Sequence, residues 1–185
     1  MKSITGIKRF LGILFFASLF LVACKENEIY PIVPSIVFKD AYVLFDQNNM
    51  DSLIVLVFSY KDGDGDIGLD GGDTLPPYNP DTLGYNHSIL NRFYNNVWID
   101  YYEKRNSIYT KPLIPSTSDT VYKDVRVGNL TPQGSHKAIR GDIQVQFFPS
   151  SYPLRADTIK LKARLIDRAL HISNEVESPD LYLVR

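Results

Sequence analysis

The sequence predicts an all-β domain, a two-layer antiparallel sandwich of about seven strands. Three observations carry that expectation. Apolar and polar residues alternate strictly from Asp157 to Asp167 and again from Asp142 to Phe147. Leu53 to Phe58 is continuously apolar and rich in β-branched residues. No window carries the 3.6-residue period of a helix.

Taken in order, Ile36 to Phe45 is the first strand candidate. Leu53 to Phe58 follows as a central strand covered on both sides, because a short unbroken apolar run has no wet face. Val97 to Tyr102 and Val121 to Val127 supply two more. In Asp142 to Phe147, Ile143, Val145 and Phe147 point inward while Gln144 and Gln146 point outward. In Asp157 to Asp167, Ile159, Leu161, Ala163 and Leu165 share the buried face. Thr158, Lys160, Lys162 and Arg164 share the wet one, so this basic stripe reads as the solvated side of a strand. Leu181 to Val184 closes an edge.

The strands occupy only part of the 185 residues. Lys2, Lys8 and Arg9 precede an apolar run from Phe10 to Ala23 that ends in Leu21-Val22-Ala23-Cys24. Charge, then grease, then small residues is the order of a secretory signal peptide. The run has 14 residues, and a spanning helix needs about 20. The tetrapeptide resembles the lipobox of bacterial lipoproteins, which implies that Cys24 is lipidated and becomes the first mature residue. Cys24 is the single cysteine, and a lipid thioether would account for an otherwise unexplained thiol in an exported chain. The alternative is an ordinary secretory signal with a coincidental cysteine.

The expected organisation is therefore a signal peptide over 1–23, a tether over 24–34, and a sandwich over 35–185 with a long loop at 61–92. Tyr30-Pro31-Ile32-Val33-Pro34 reads as extended chain, since each proline fixes its own φ and biases its predecessor away from helix. Lys25-Glu26-Asn27-Glu28 resembles the export signal of Bacteroidota-type surface lipoproteins, with Asn27 interrupting the acids. That resemblance implies outer-membrane anchorage with display at the cell surface; retention on the periplasmic face is the alternative. Without residues 1–23 the chain has 17 basic and 21 acidic side chains. An acidic module lacks the basic patch that displaces counterions from nucleic acid, so no nucleic-acid partner is expected.

The chemistry concentrates in Asp62-Gly63-Asp64-Gly65-Asp66-Ile67-Gly68-Leu69-Asp70-Gly71-Gly72-Asp73. Glycines let this backbone curl, so the carboxylates of Asp62, Asp64, Asp66, Asp70 and Asp73 can converge on a hard cation. Ca2+ takes six to eight oxygens at about 2.4 Å. The spacing resembles an EF-hand-type or dockerin-type calcium loop, although neither frame fits throughout, and no flanking helices are evident. A calcium-stabilised inter-strand loop and a soluble Gly-Asp turn are both open readings. Within the long loop, Tyr78 and Tyr85 are candidates for stacking on a glycan or peptide.

Catalysis finds little support. No Gly-x-Ser-x-Gly elbow occurs, and His87, His136 and His171 are widely scattered. Asp100 and Glu103 lie on one strand at an odd spacing, hence on opposite faces. A non-enzymatic module is expected, with an envelope protein or a glycan as its partner.

Asp167 to Asn174 resembles the Asp-x-x-Gly-Asn-x-Ser-Asn hairpin of many bacterial immunoglobulin-like domains, with Leu170 and His171 in place of Gly-Asn. The resemblance implies an immunoglobulin-like sandwich; a jelly roll is the alternative. Together with the Lys61–Gly68 segment and Val97–Glu103, it is similar to a recurring group of Bacteroidota-type lipoproteins.

Overall fold

The computed structural model describes residues 29–82, 89–114, 120–131, 138–149 and 156–184. Cys24, Tyr85, His87 and His136 lie outside the described residues, as do residues 1–23. Ten strands are described. They are β1 (Ser35–Phe45), β2 (Asp51–Asp62), β3 (Asp81–Thr82), β4 (Ile89–Leu90), β5 (Val97–Arg105), β6 (Ile108–Thr110), β7 (Ile139–Phe147), β8 (Thr158–Leu165), β9 (Val176–Glu177) and β10 (Leu181–Tyr182). One 3-10 turn, Arg92–Tyr94, precedes β5.

Two antiparallel sheets form the sandwich. The first has the order β1-β2-β7, and the second the order β10-β8-β5-β6 with β9 also on β8. The last strand of the second sheet is split in two, β9 and β10, both pairing with β8. The split has a local cause. The backbone N–H of Ser178 donates to the Leu161 carbonyl at 2.9 Å, while its hydroxyl accepts from the Leu161 N–H at 3.0 Å. The side chain thus takes over one rung of the ladder, and Pro179 follows it.

The alternating residues face each other across the sheets. Ile54, Leu56, Phe58 and Tyr60 of β2 share one core with Ile99 and Tyr101 of β5 and with Ile159, Leu161 and Leu165 of β8. Each fully buried side chain of this size contributes about 1.5–3 kcal/mol, which makes this layer the main source of stability. Val55 points the other way and is also buried, while Leu53 and Val57 are half-buried. The apolar run of β2 is therefore covered completely on one side and only around Val55 on the other.

One expectation needs correction. Residues 121–127 do not form a strand; they run beside β5 through isolated bridges, Tyr122 to Asp100 and Val125 to Val97. Asp124 is the reason, since its Oδ1 accepts the Ile99 N–H at 2.8 Å where a strand would offer a carbonyl. The long loop expected at 61–92 is also tied into the fold where it is described. Ile67 is fully buried in the core, and Leu69 donates to the Val127 carbonyl at 3.0 Å. The short β3–β4 hairpin lies further along the same segment.

The basic stripe of β8 is matched residue by residue. Lys160 pairs with Glu177 at 2.7 Å, Lys162 with Glu175 at 3.1 Å, and Arg164 with Glu175 at 2.6 Å. Lys160 also sits over the Tyr109 ring, 4.5 Å from its centroid.

Candidate metal centre

The period of two that builds the core also builds this site. Ile54, Leu56, Phe58 and Tyr60 face inward along β2, and Asp62 is the next residue in that series. Ile159, Leu161, Ala163 and Leu165 face inward along β8, and Asp167 is the next in theirs. Both series end on a carboxylate at the same end of the sandwich, where Ile67 bridges Asp167. Asp62 is 0% exposed and Asp167 2%.

Local turns hold the cluster in shape. Asp62 Oδ2 accepts the backbone N–H groups of Gly65 at 2.8 Å and Asp66 at 3.0 Å. Gly65 has φ +72°, so the loop needs the left-handed conformation that glycine adopts without strain. The Thr131 hydroxyl donates to the Gly65 carbonyl. From the other side, the Arg168 N–H donates to the Asp66 carbonyl at 3.1 Å, and the Ala169 N–H donates to Asp66 Oδ2 at 3.1 Å.

Asp62, Asp66 and Asp167 each bring a carboxylate oxygen within 4.8 Å of the others. All three therefore fit within the diameter of a coordination shell whose oxygens lie about 2.4 Å from the ion. Oδ1 of Asp62, of Asp64 and of Asp66 is buried and has no hydrogen-bond partner among the described residues. At such separations two ionised carboxylates repel by about 3 kcal/mol at an effective dielectric near 20. Unpartnered oxygens and mutual repulsion are both relieved by one cation, so the donor set fits a hard divalent ion.

The charges feel one another. Burial, together with the nearby charges of Asp64 and Asp66, pushes the Asp62 carboxyl up to about 6, although backbone N–H groups pull the other way. Asp66 is also raised, first by burial and then by Asp167 and Asp64. His171 is raised by its hydrogen bond to Asp167, whose Oδ2 lies 2.8 Å from Nδ1. The His171 N–H further donates to Asp167 Oδ1 at 2.7 Å, which orients that carboxylate.

Five carboxylates were expected to converge, and the structure sorts them differently. Asp62 and Asp66 belong to the cluster, and Asp64 stands beside it with its charge acting on both. Asp70 and Asp73 do not join. Asp70 is exposed. Asp73 is held by the Arg168 guanidinium through two bonds, 2.7 Å and 2.9 Å, which keep its carboxyl below the usual range. Asp167, which the loop motif did not suggest, takes the third position. Its signal was the parity of its strand, as the next inward residue after Leu165. Tyr78 is half-buried and donates its hydroxyl to the Arg168 carbonyl, which makes it a brace for this end of the domain.

The turn from Asp167 to His171 closes without glycine. Leu170 N–H donates to the Asp167 carbonyl at 3.2 Å, and Leu170 takes φ +67°, where a β-carbon costs about 1 kcal/mol. Leu170→Gly is expected to raise the melting midpoint by roughly 2–4 °C. A scan with a lowered midpoint would show that the leucine side chain contributes more than its backbone costs.

Fold and site define a class: a two-sheet antiparallel β-sandwich whose two core strands end in a buried cluster of aspartates. Comparison with protein-family models gives no match, and comparison with curated protein sequences gives none either.

Proposed function

We propose that this chain is a lipid-anchored, non-enzymatic module of the bacterial envelope whose aspartate cluster holds a structural divalent cation. Calcium is the ion its chemistry favours, because every donor offered is a hard carboxylate oxygen. The observation that carries the reading is Asp62, fully buried with an unpartnered Oδ1 beside two further carboxylates. A charge in that position is costly unless something pairs with it. The cluster sits where the strand ends meet, an arrangement suited to fastening segments together. The anchor rests on the lipobox-like Leu21-Val22-Ala23-Cys24, and display on the outer membrane at the cell surface rests on the residues that follow it.

Melting in calcium against melting in chelator tests the cation. At about 100 times the dissociation constant, binding adds about 2.7 kcal/mol, which a domain of this size reports as roughly 5–10 °C. Equal midpoints in the two conditions would remove the ion from this account. Cys24→Ala tests the anchor separately: the chain is expected to move from the membrane fraction to the soluble one. Retention in the membrane fraction would refute lipidation.

A further inference from the structure

The two segments that supply the aspartate cluster also grip the chain where it enters the sandwich. Gly63 directly follows Asp62 and lies beneath residues 30–31. A β-carbon there would overlap the Tyr30 carbonyl oxygen and come within 2.7 Å of the Pro31 oxygen. Only a glycine lets the two backbones approach so closely. Lys61, one residue before Asp62, places its Nζ 5.1 Å from the centroid of the Tyr30 ring.

The second grip comes from the other ligand-bearing turn. Asn174, at the end of the stretch that begins with Asp167, uses its side chain as a substitute strand. Its Oδ1 accepts the Ile36 N–H at 2.9 Å, and its amide donates to the Ile36 carbonyl at 2.8 Å. β1 is an edge strand in its sheet, so this amide occupies ladder positions at its start.

We infer that cation binding at the aspartate cluster controls the docking of residues 29–34, the end of the membrane tether, onto the sandwich. The inference rests on the reading that the cluster holds a cation. With the ion bound, the Asp62 and Asp167 segments are drawn together and both grips close on the entering chain. Without it, Asp62, Asp64, Asp66 and Asp167 repel, the two segments part, the tether loses its seat on Gly63, and the Asn174 clamp on Ile36 at the start of β1 loosens. For a chain anchored at Cys24, ten residues separate the lipid from β1 and reach about 30 Å when extended. Docking six of them shortens that reach, so the ion sets how far the sandwich stands from the bilayer.

The test uses the full chain in detergent with Tyr30→Trp in a Trp98→Phe background, which leaves one tryptophan on the tether. In calcium, emission is expected to be blue-shifted and shielded from acrylamide. In chelator, emission is expected to shift red and the shielding to be lost. Adding Gly63→Ala should release the tether even in calcium and, because the coupling is reciprocal, should weaken calcium binding without abolishing it. Asn174→Ala, which frees Ile36 two residues after the tether, should loosen the tether from the β1 side, and it serves if Gly63→Ala does not fold. A normal isotherm with tryptophan shielding equal in calcium and chelator would overturn the coupling and leave the cation reading standing. A flat isotherm would overturn both.

Discussion

Asp62→Asn raises the melting midpoint of the calcium-free chain at neutral pH and abolishes the increase that calcium brings to the parent. The two effects have opposite signs and one cause. Asp62 titrates near 6 in the folded chain against 3.8 for a free carboxyl, because burial and neighbouring acids disfavour its charge. Between those values the folded state binds more protons than the unfolded one, so this group lowers stability as pH rises through the window. The whole penalty is in place above pH 6 and absent below 3.8. Asparagine removes it while keeping an oxygen to accept from Gly65 and Asp66, and the gain is on the order of 2 kcal/mol at pH 7. It also removes the charge that a cation needs. Melting curves of both chains across pH 4–8 in chelator should therefore diverge upward in pH, with the variant the more stable at the neutral end. Parallel curves, or a variant that still answers to calcium, would exclude Asp62 as the central ligand.

Gly68→Ala is expected to cost about 3 kcal/mol or more and to lower the midpoint by roughly 6–12 °C. Gly68 has φ +113°, which an L side chain rarely adopts. A β-carbon there would also overlap the Gly128 carbonyl oxygen and the Asn129 Cα. These contacts are backbone and have no flexible end to swing away. On either side of Gly68, Leu130 donates to the Ile67 carbonyl and Leu69 to the Val127 carbonyl, each at 3.0 Å. Forcing the two segments apart would break both bonds and draw Ile67 out of the core. Gly71→Ala is the matched control, because nothing lies within 4 Å of a β-carbon at that position. Equal midpoints for the two alanine variants would contradict the close approach described here.

The architecture was legible in the chain because a half-buried strand repeats every two residues. β1, β2, β5, β7 and β8 all fall on segments whose pattern predicts them. The pattern failed at residues 121–127, where it is β-like but a side-chain carboxylate replaces a ladder carbonyl. Periodicity registers apolar residues and is blind to such substitutions. The long segment after β2 leaves no period for a related reason: Ile67 enters the core through a single bridge to Asp167, and Leu69 is held by one hydrogen bond to the Val127 carbonyl.

The candidate centre divides in the same way. Sequence alone marks the Asp-Gly loop as the place where charge and backbone freedom concentrate, and it puts Asp62, Asp64, Asp66, Asp70 and Asp73 forward together. Which carboxylates converge was decided by tertiary structure. Arg168 arrives from 95 residues away to neutralise Asp73, and Asp167 arrives beside it to complete the triad. Local propensity determines the strands and turns, because those depend on near neighbours. The membership of a charged cluster depends on which distant strand ends meet, and only the packing of the two sheets fixes that.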